Sequence, residues 1–129
     1  MKKITLFLVL AFCLSMVGCS KDAEIETFIT EWDSVTNDMV QKINVGDIDG
    51  AKTAFDAKKE TLKSKWAGIK DAKGFQVSDA TKKKMTESAT KNMSALTTAM
   101  TANMAKLMTD KPKMEKLQAL VKEYGEIFK

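Results

Sequence analysis

The spacing of the large apolar residues constrains this chain most. From Asp22 onward they recur at steps of three and four, as Ile25, Phe28, Ile29, Trp32, Val35, Met39 and Ile43. An α-helix turns about 100° per residue, so residues at those steps share one face and must be buried together. No segment sustains the period-two alternation of a half-buried strand. The chain is therefore expected to be all-α.

Breaks in the pattern divide it into four helices. The first is expected from about Asp22 to Asn44, with Gly46 free to take the left-handed angles that end a helix. Asp47 can then accept from the free amides of a second helix carrying Ile48, Ala51, Phe55, Leu62, Trp66 and Ile69, to about Asp71. Residues Ala72 to Asp79, "AKGFQVSD", read as a loop with Gly74 as a stop and Ser78 or Asp79 as the next cap. A long third helix follows to about Met108. Lys111 precedes Pro112, and proline suits the first turn of a fourth helix carrying Met114, Leu117, Leu120, Val121, Tyr124, Ile127 and Phe128. Connections this short favour an antiparallel up-down four-helix bundle.

The N-terminus is different in kind. Lys2 and Lys3 precede an apolar run, "ITLFLVLAFCLSMVG", from Ile4 to Gly18. Those residues would rise only about 22 Å as a helix, short of the ~30 Å hydrocarbon core of a bilayer. A cationic segment followed by a short apolar one reads as an export signal and not as a span. The run ends in "MVGC", Met16 to Cys19, which resembles the lipobox of bacterial lipoproteins, where a small residue precedes an obligatory cysteine. The resemblance covers the first twenty or so residues; no family is recognised for the rest.

That resemblance implies definite chemistry. The Cys19 sulfur would take a diacylglyceryl group, cleavage would fall between Gly18 and Cys19, and the new amino group would be acylated, palmitate being the usual chain. Residues 1–18 would be the signal peptide, 19–23 the acylated anchor and tether, and 24–129 the bundle domain. Cys13 would leave with the signal. Two or three acyl chains give durable attachment at about 0.8 kcal/mol per buried methylene, where one chain binds only reversibly. Ser20 after the cysteine favours the outer membrane, by analogy with enteric sorting, with the domain on its periplasmic face or outside.

Composition removes whole classes of function. Lys2 and Lys3 would go with the signal, taking two of the four net positive charges, so the basic balance is poor support for nucleic acid as a partner. Every basic residue is lysine, so no guanidinium fork is present for bidentate phosphate or guanine recognition. Histidine is absent, and with Cys19 acylated no thiol remains. Haem would lack both a histidine ligand and a Cys-x-x-Cys-His attachment. No catalytic residue and no cofactor is expected, and the chain is read as non-enzymatic. The leading function is a membrane-attached bundle that binds an envelope or extracellular protein or has a structural role.

Three features could carry more. Six methionines lie between Met85 and Met114, and Met100, Met104 and Met108 stand at four-residue steps. Soft thioethers suit Cu(I), which makes these three an alternative copper or apolar-ligand site. The helical wheel, however, puts Met85, Met93, Met100 and Met104 on the stripe of Leu96 and Leu107, with Met108 at its edge, so they are expected to fill core. "VGDIDG", Val45 to Gly50, has the aspartate spacing of part of a calcium loop, but Val45 occupies the first ligand position and Asp56 the last, so helix capping explains it better. Finally, Lys70, Lys73, Lys82, Lys83, Lys84 and Lys129 would gather at the membrane-proximal end of an up-down bundle. There each could contribute up to ~1 kcal/mol beside anionic lipid, the alternative being an ordinary solvated face. Phe75 and Val77 in the same loop are expected to cap the core, the other reading being that they dip into the membrane interface.

Overall fold

A computed structural model describes residues 20–129. Gly18, Cys19 and the signal-peptide reading lie outside the described residues. What is described is an all-α bundle of four helices: α1 (Asp22–Asn44), α2 (Ile48–Ile69), α3 (Asp79–Leu107) and α4 (Lys111–Gly125), with short 3₁₀ turns at Gly74–Gln76 and Glu126–Phe128.

Each boundary has a local cause. At the end of α1, Gly46 adopts φ 78°, its N–H donates to the Ile43 carbonyl, and the Asp47 N–H reaches back to Lys42 at 2.9 Å. This pair of bonds satisfies carbonyls the helix would leave open. Asp47 then caps α2, its carboxylate accepting from the Gly50 N–H at 2.8 Å. A Cβ on residue 50 would meet that carboxylate, so a larger residue there would make Asp47 shift. Ser78 Oγ accepts from the Thr81 N–H to cap α3, and Asp110 accepts from the Lys113 N–H to cap α4, with Pro112 in the first turn. The aspartates of "VGDIDG" are thus accounted for: Asp47 caps, and Asp49 pairs with Lys116 at 2.8 Å.

α1 packs along both α2 and α3, while α4 lies chiefly on α2. The direction of each pairing follows from its contacts. Glu26 meets Lys84, Asp33 meets Asn92 and Asn44 meets Asn103, so α1 and α3 run the same way. Asp49 meets Lys116 and Trp66 stacks near Phe128, so α2 and α4 also share a direction. Phe28, fully buried, lies 5.7 Å from the Trp32 ring, 5.6 Å from Trp66 and 6.1 Å from Phe128, tying α1, α2 and the C-terminal turn into one aromatic cluster.

Tyr124 adds a polar lock inside this core. The Trp32 indole N–H donates to its hydroxyl at 2.6 Å, and Thr36 Oγ1 lies 2.7 Å from the same oxygen. Because an indole N–H can only donate, the tyrosine oxygen accepts there, and either hydroxyl can be the donor in the second bond. Burial pushes the Tyr124 hydroxyl above its ordinary value of 10.0. A raised value in the folded state means stability is intact below pH 10 and declines as pH rises through the folded value, since only the unfolded chain ionises readily. Tyr124 is the only tyrosine. Its tyrosinate absorbance is therefore expected to appear above pH 10 together with loss of helical circular dichroism; ionisation at the ordinary value in a still-folded chain would remove this lock from the account.

The third helix departs from expectation. Its buried face consists of Thr81, Ser88, Asn92, Leu96, Ala99, Asn103 and Leu107, four of the seven polar. Thr81 bonds to the capping Ser78, and the other three are satisfied across the α1–α3 seam. Asp33 accepts from Asn92 Nδ2 at 2.8 Å, Lys91 Nζ at 3.1 Å and Ser88 Oγ at 3.3 Å, and Asn103 donates to Asn44 Oδ1 and the Ala99 carbonyl. The stripe is thereby rotated away from the methionines. Met85 and Met100 pack partly against the core, but Met93 and Met104 are exposed, contrary to the core reading, and Met108 is 73% exposed.

Candidate functional site

The end of the bundle where the described chain begins is held by specific hydrogen bonds. The Lys21 backbone N–H donates to the Gln76 carbonyl at 2.8 Å, and Asp22 accepts from the Ser78 N–H at 2.9 Å. That bond to the Ser78 backbone holds the Asp22 carboxyl below its usual range. The start of α1 is therefore fastened to the α2–α3 loop. Two residues of chain span at most about 7 Å. Helix α1 takes over at Asp22, leaving Ser20 and Lys21 between it and Cys19.

The loop is built as a tight turn. The Gln76 side-chain oxygen accepts from the Lys73 N–H at 2.8 Å, and the Gln76 N–H donates back to the Lys73 carbonyl at 2.9 Å. Val77 leaves this turn in extended conformation and packs partly against the core. Phe75 does not. It is 82% exposed, which corrects the expectation that both residues cap the core. With the turn closed by Gln76, neighbouring side chains fan out in different directions, and only Val77 is aimed inward. Ala72 and Val77, on either side of the turn, also line a cleft of about 290 Å³ with Ile25, Trp66, Ile69 and Met85. The Trp66 indole N–H is buried without an acceptor among the described residues.

The lysines expected at this end divide into two groups. Lys82 pairs with Asp79 at 3.8 Å, Lys83 with Glu87 at 3.8 Å and Lys84 with Glu26 at 2.7 Å. The Glu26 hydrogen bond raises the Lys84 ammonium above its usual range. Lys129 lies 4.0 Å from Glu126, at a C-terminal turn whose Phe128 packs at the level of Phe28, more than a helical turn inward from Ser20. Among the described residues Lys70 and Lys73 have no carboxylate within ion-pair distance; Asp71 between them leaves that stretch one net positive charge.

The methionine positions are less convergent. Met100 is half-buried against the core, while Met104 and Met108 open to solvent toward the other end, where Val45 is also exposed. Among the described residues no three acidic, histidine or cysteine side chains gather as a metal site, and no helix is long and apolar enough to cross a membrane. Two further groups with shifted ionisation sit in surface pairs: Asp49 is lowered by Lys116, and Lys52 is raised by Asp56. Neither adjoins a nucleophile in a cleft. No known protein family, curated protein or solved structure matches the chain.

Sequence reasoning missed two elements of this arrangement. The Asp33 seam had a signal, since Ser88, Asn92 and Asn103 fall on the stripe of Leu96 and Ala99, but small polar residues on a stripe are ordinarily scored as surface. The exposure of Phe75 had none, because it depends on a side-chain hydrogen bond within the turn.

Proposed function

We propose that this chain is a lipid-anchored, non-enzymatic lipoprotein of the bacterial envelope, in which a small helical bundle is kept at the membrane to contact a protein partner. The observation that carries the reading is Met16-Val17-Gly18-Cys19 at the end of a short apolar run, followed within three residues by the start of a folded helix. The acylated Cys19, in the outer membrane, would be joined to the bundle by Ser20 and Lys21 alone. Tethers this short hold a domain against its membrane instead of letting it range outward. The non-enzymatic part is supported by the residue types available: with no histidine, no arginine and, once Cys19 is acylated, no thiol, a general base or nucleophile would have to come from carboxylates, lysines and hydroxyls, and no motif marks any of them.

The partner is expected at the end away from Cys19, where Val45, Met104 and Met108 are open to solvent. Exposed methionines make adaptable apolar contacts. The test is a photo-crosslinking residue at Met108 in the full-length protein, in intact envelopes. A discrete protein adduct, lost when Met104→Lys is added, is the expected result. Adducts of no defined size, unaffected by Met104→Lys, would contradict it. Stoichiometric copper on the purified protein, lost with Met100→Leu plus Met104→Leu, would replace partner binding by the soft-metal reading.

A further inference from the structure

Phe75 is the one large aromatic side chain among the described residues that stands open to solvent, and it stands on the loop fastened to the start of α1. The turn that carries it is closed by two hydrogen bonds between Lys73 and Gln76, so the ring is presented and not merely loose. Lys70 and Lys73, which have no carboxylate within ion-pair distance among the described residues, precede it in the chain with Asp71 between them. An exposed aromatic ring beside a stretch of one net positive charge matches the boundary of a bilayer, where rings sit below the headgroups and lysines meet their phosphates.

We propose that the loop from Ala72 to Ser78 is a second membrane contact, with Phe75 seated at the top of the acyl chains and Lys70 and Lys73 against the headgroups. The inference rests on acylation of Cys19, which brings the bilayer to this end. The covalent reach of two residues from Lys21, itself bonded to Gln76, then leaves the loop no position far from the surface. The loop turns a single-point tether into a docked orientation. Helix α1 rises from the surface, and Val45, at its far end, stands about 35 Å from Lys21 along the helix. Lys82, Lys83 and Lys84, already paired with Asp79, Glu87 and Glu26, contribute little to this contact.

The full-length lipidated protein supplies its own labelling scheme. With Cys13 removed and the Cys19 sulfur alkylated, Phe75→Cys introduces the only free thiol, and Val45→Cys does the same at the far end. Both positions are exposed, so neither change disturbs the core. Each variant is labelled with an environment-sensitive fluorophore and reconstituted into phosphatidylethanolamine–phosphatidylglycerol vesicles whose lipids carry a spin label near the top of the acyl chain. The N-terminal peptide is weighed in parallel. With residue 19 acylated, the fluorophore at 75 is expected to shift to the blue and be quenched several times more strongly than the one at 45. Equal quenching at both sites on acylated protein overturns the docked loop and leaves the anchor standing. An unmodified residue 19 removes the anchor and this inference with it.

Discussion

Phe28→Ala is expected to lower the unfolding free energy of the domain by about 3–5 kcal/mol, the range for deleting a fully buried phenylalanine. Domains of this size hold only about 5–15 kcal/mol in total, so the variant would sit near its unfolding threshold. The magnitude follows from position. Phe28 has no exposed surface and its ring lies within contact range of Trp32, Trp66 and Phe128, so truncation leaves a void bounded by three rigid rings that cannot collapse into it. Phe75→Ala removes the same atoms from an exposed site and is expected to change stability by about 0.5 kcal/mol or less. Urea unfolding followed by circular dichroism compares the two directly. A midpoint lowered by Phe28→Ala and unmoved by Phe75→Ala, with unchanged slopes, is the expected pattern; equal shifts would mean the aromatic cluster is not the centre of the fold.

Cys19→Ala is expected to have the larger effect in the cell. Without the sulfur there is no site for the diacylglyceryl group, and cleavage that depends on that modification would stop. The precursor should keep residues 1–18, incorporate no labelled palmitate and leave the detergent phase in a phase separation. The scale of the change comes from counting methylenes at about 0.8 kcal/mol each, against which a single interfacial phenylalanine and two lysines are small. Detergent-phase recovery of a Cys19→Ala protein cleaved at the same place would contradict the anchor assignment.

The helix boundaries were legible because each is set by residues next to it in the chain. Gly46 with its positive φ, Asp47 and Ser78 as caps, and Pro112 in a first turn all act within four residues. Of these ends, α2 stops at Ile69, two residues short of the expected Asp71, and α3 at Leu107, one short of Met108. What was not legible depends on distant partners. The buried face of α3 is chosen by Asp33 and Asn44, which lie 55 to 59 positions earlier in the chain than the side chains they accept from. Counting hydrophobicity alone, the methionines win the inward face; once Asn92 and Asn103 have acceptors, burying them costs little and the stripe rotates. A small polar residue repeated on an apolar stripe is the pattern to look for, together with a carboxylate or amide on the facing helix.

The proposed anchor is the reverse case, read from a local motif and open to test by covalent chemistry. Trypsin cuts after Lys21, so protein isolated from its native membrane yields a peptide that reports residue 19 alone with Ser20 and Lys21. Its mass is predicted to show a chain beginning at Cys19 with a diacylglyceryl group on sulfur and an acyl group on nitrogen. The same three residues without lipid, or still joined to Met16, Val17 and Gly18, would contradict the account.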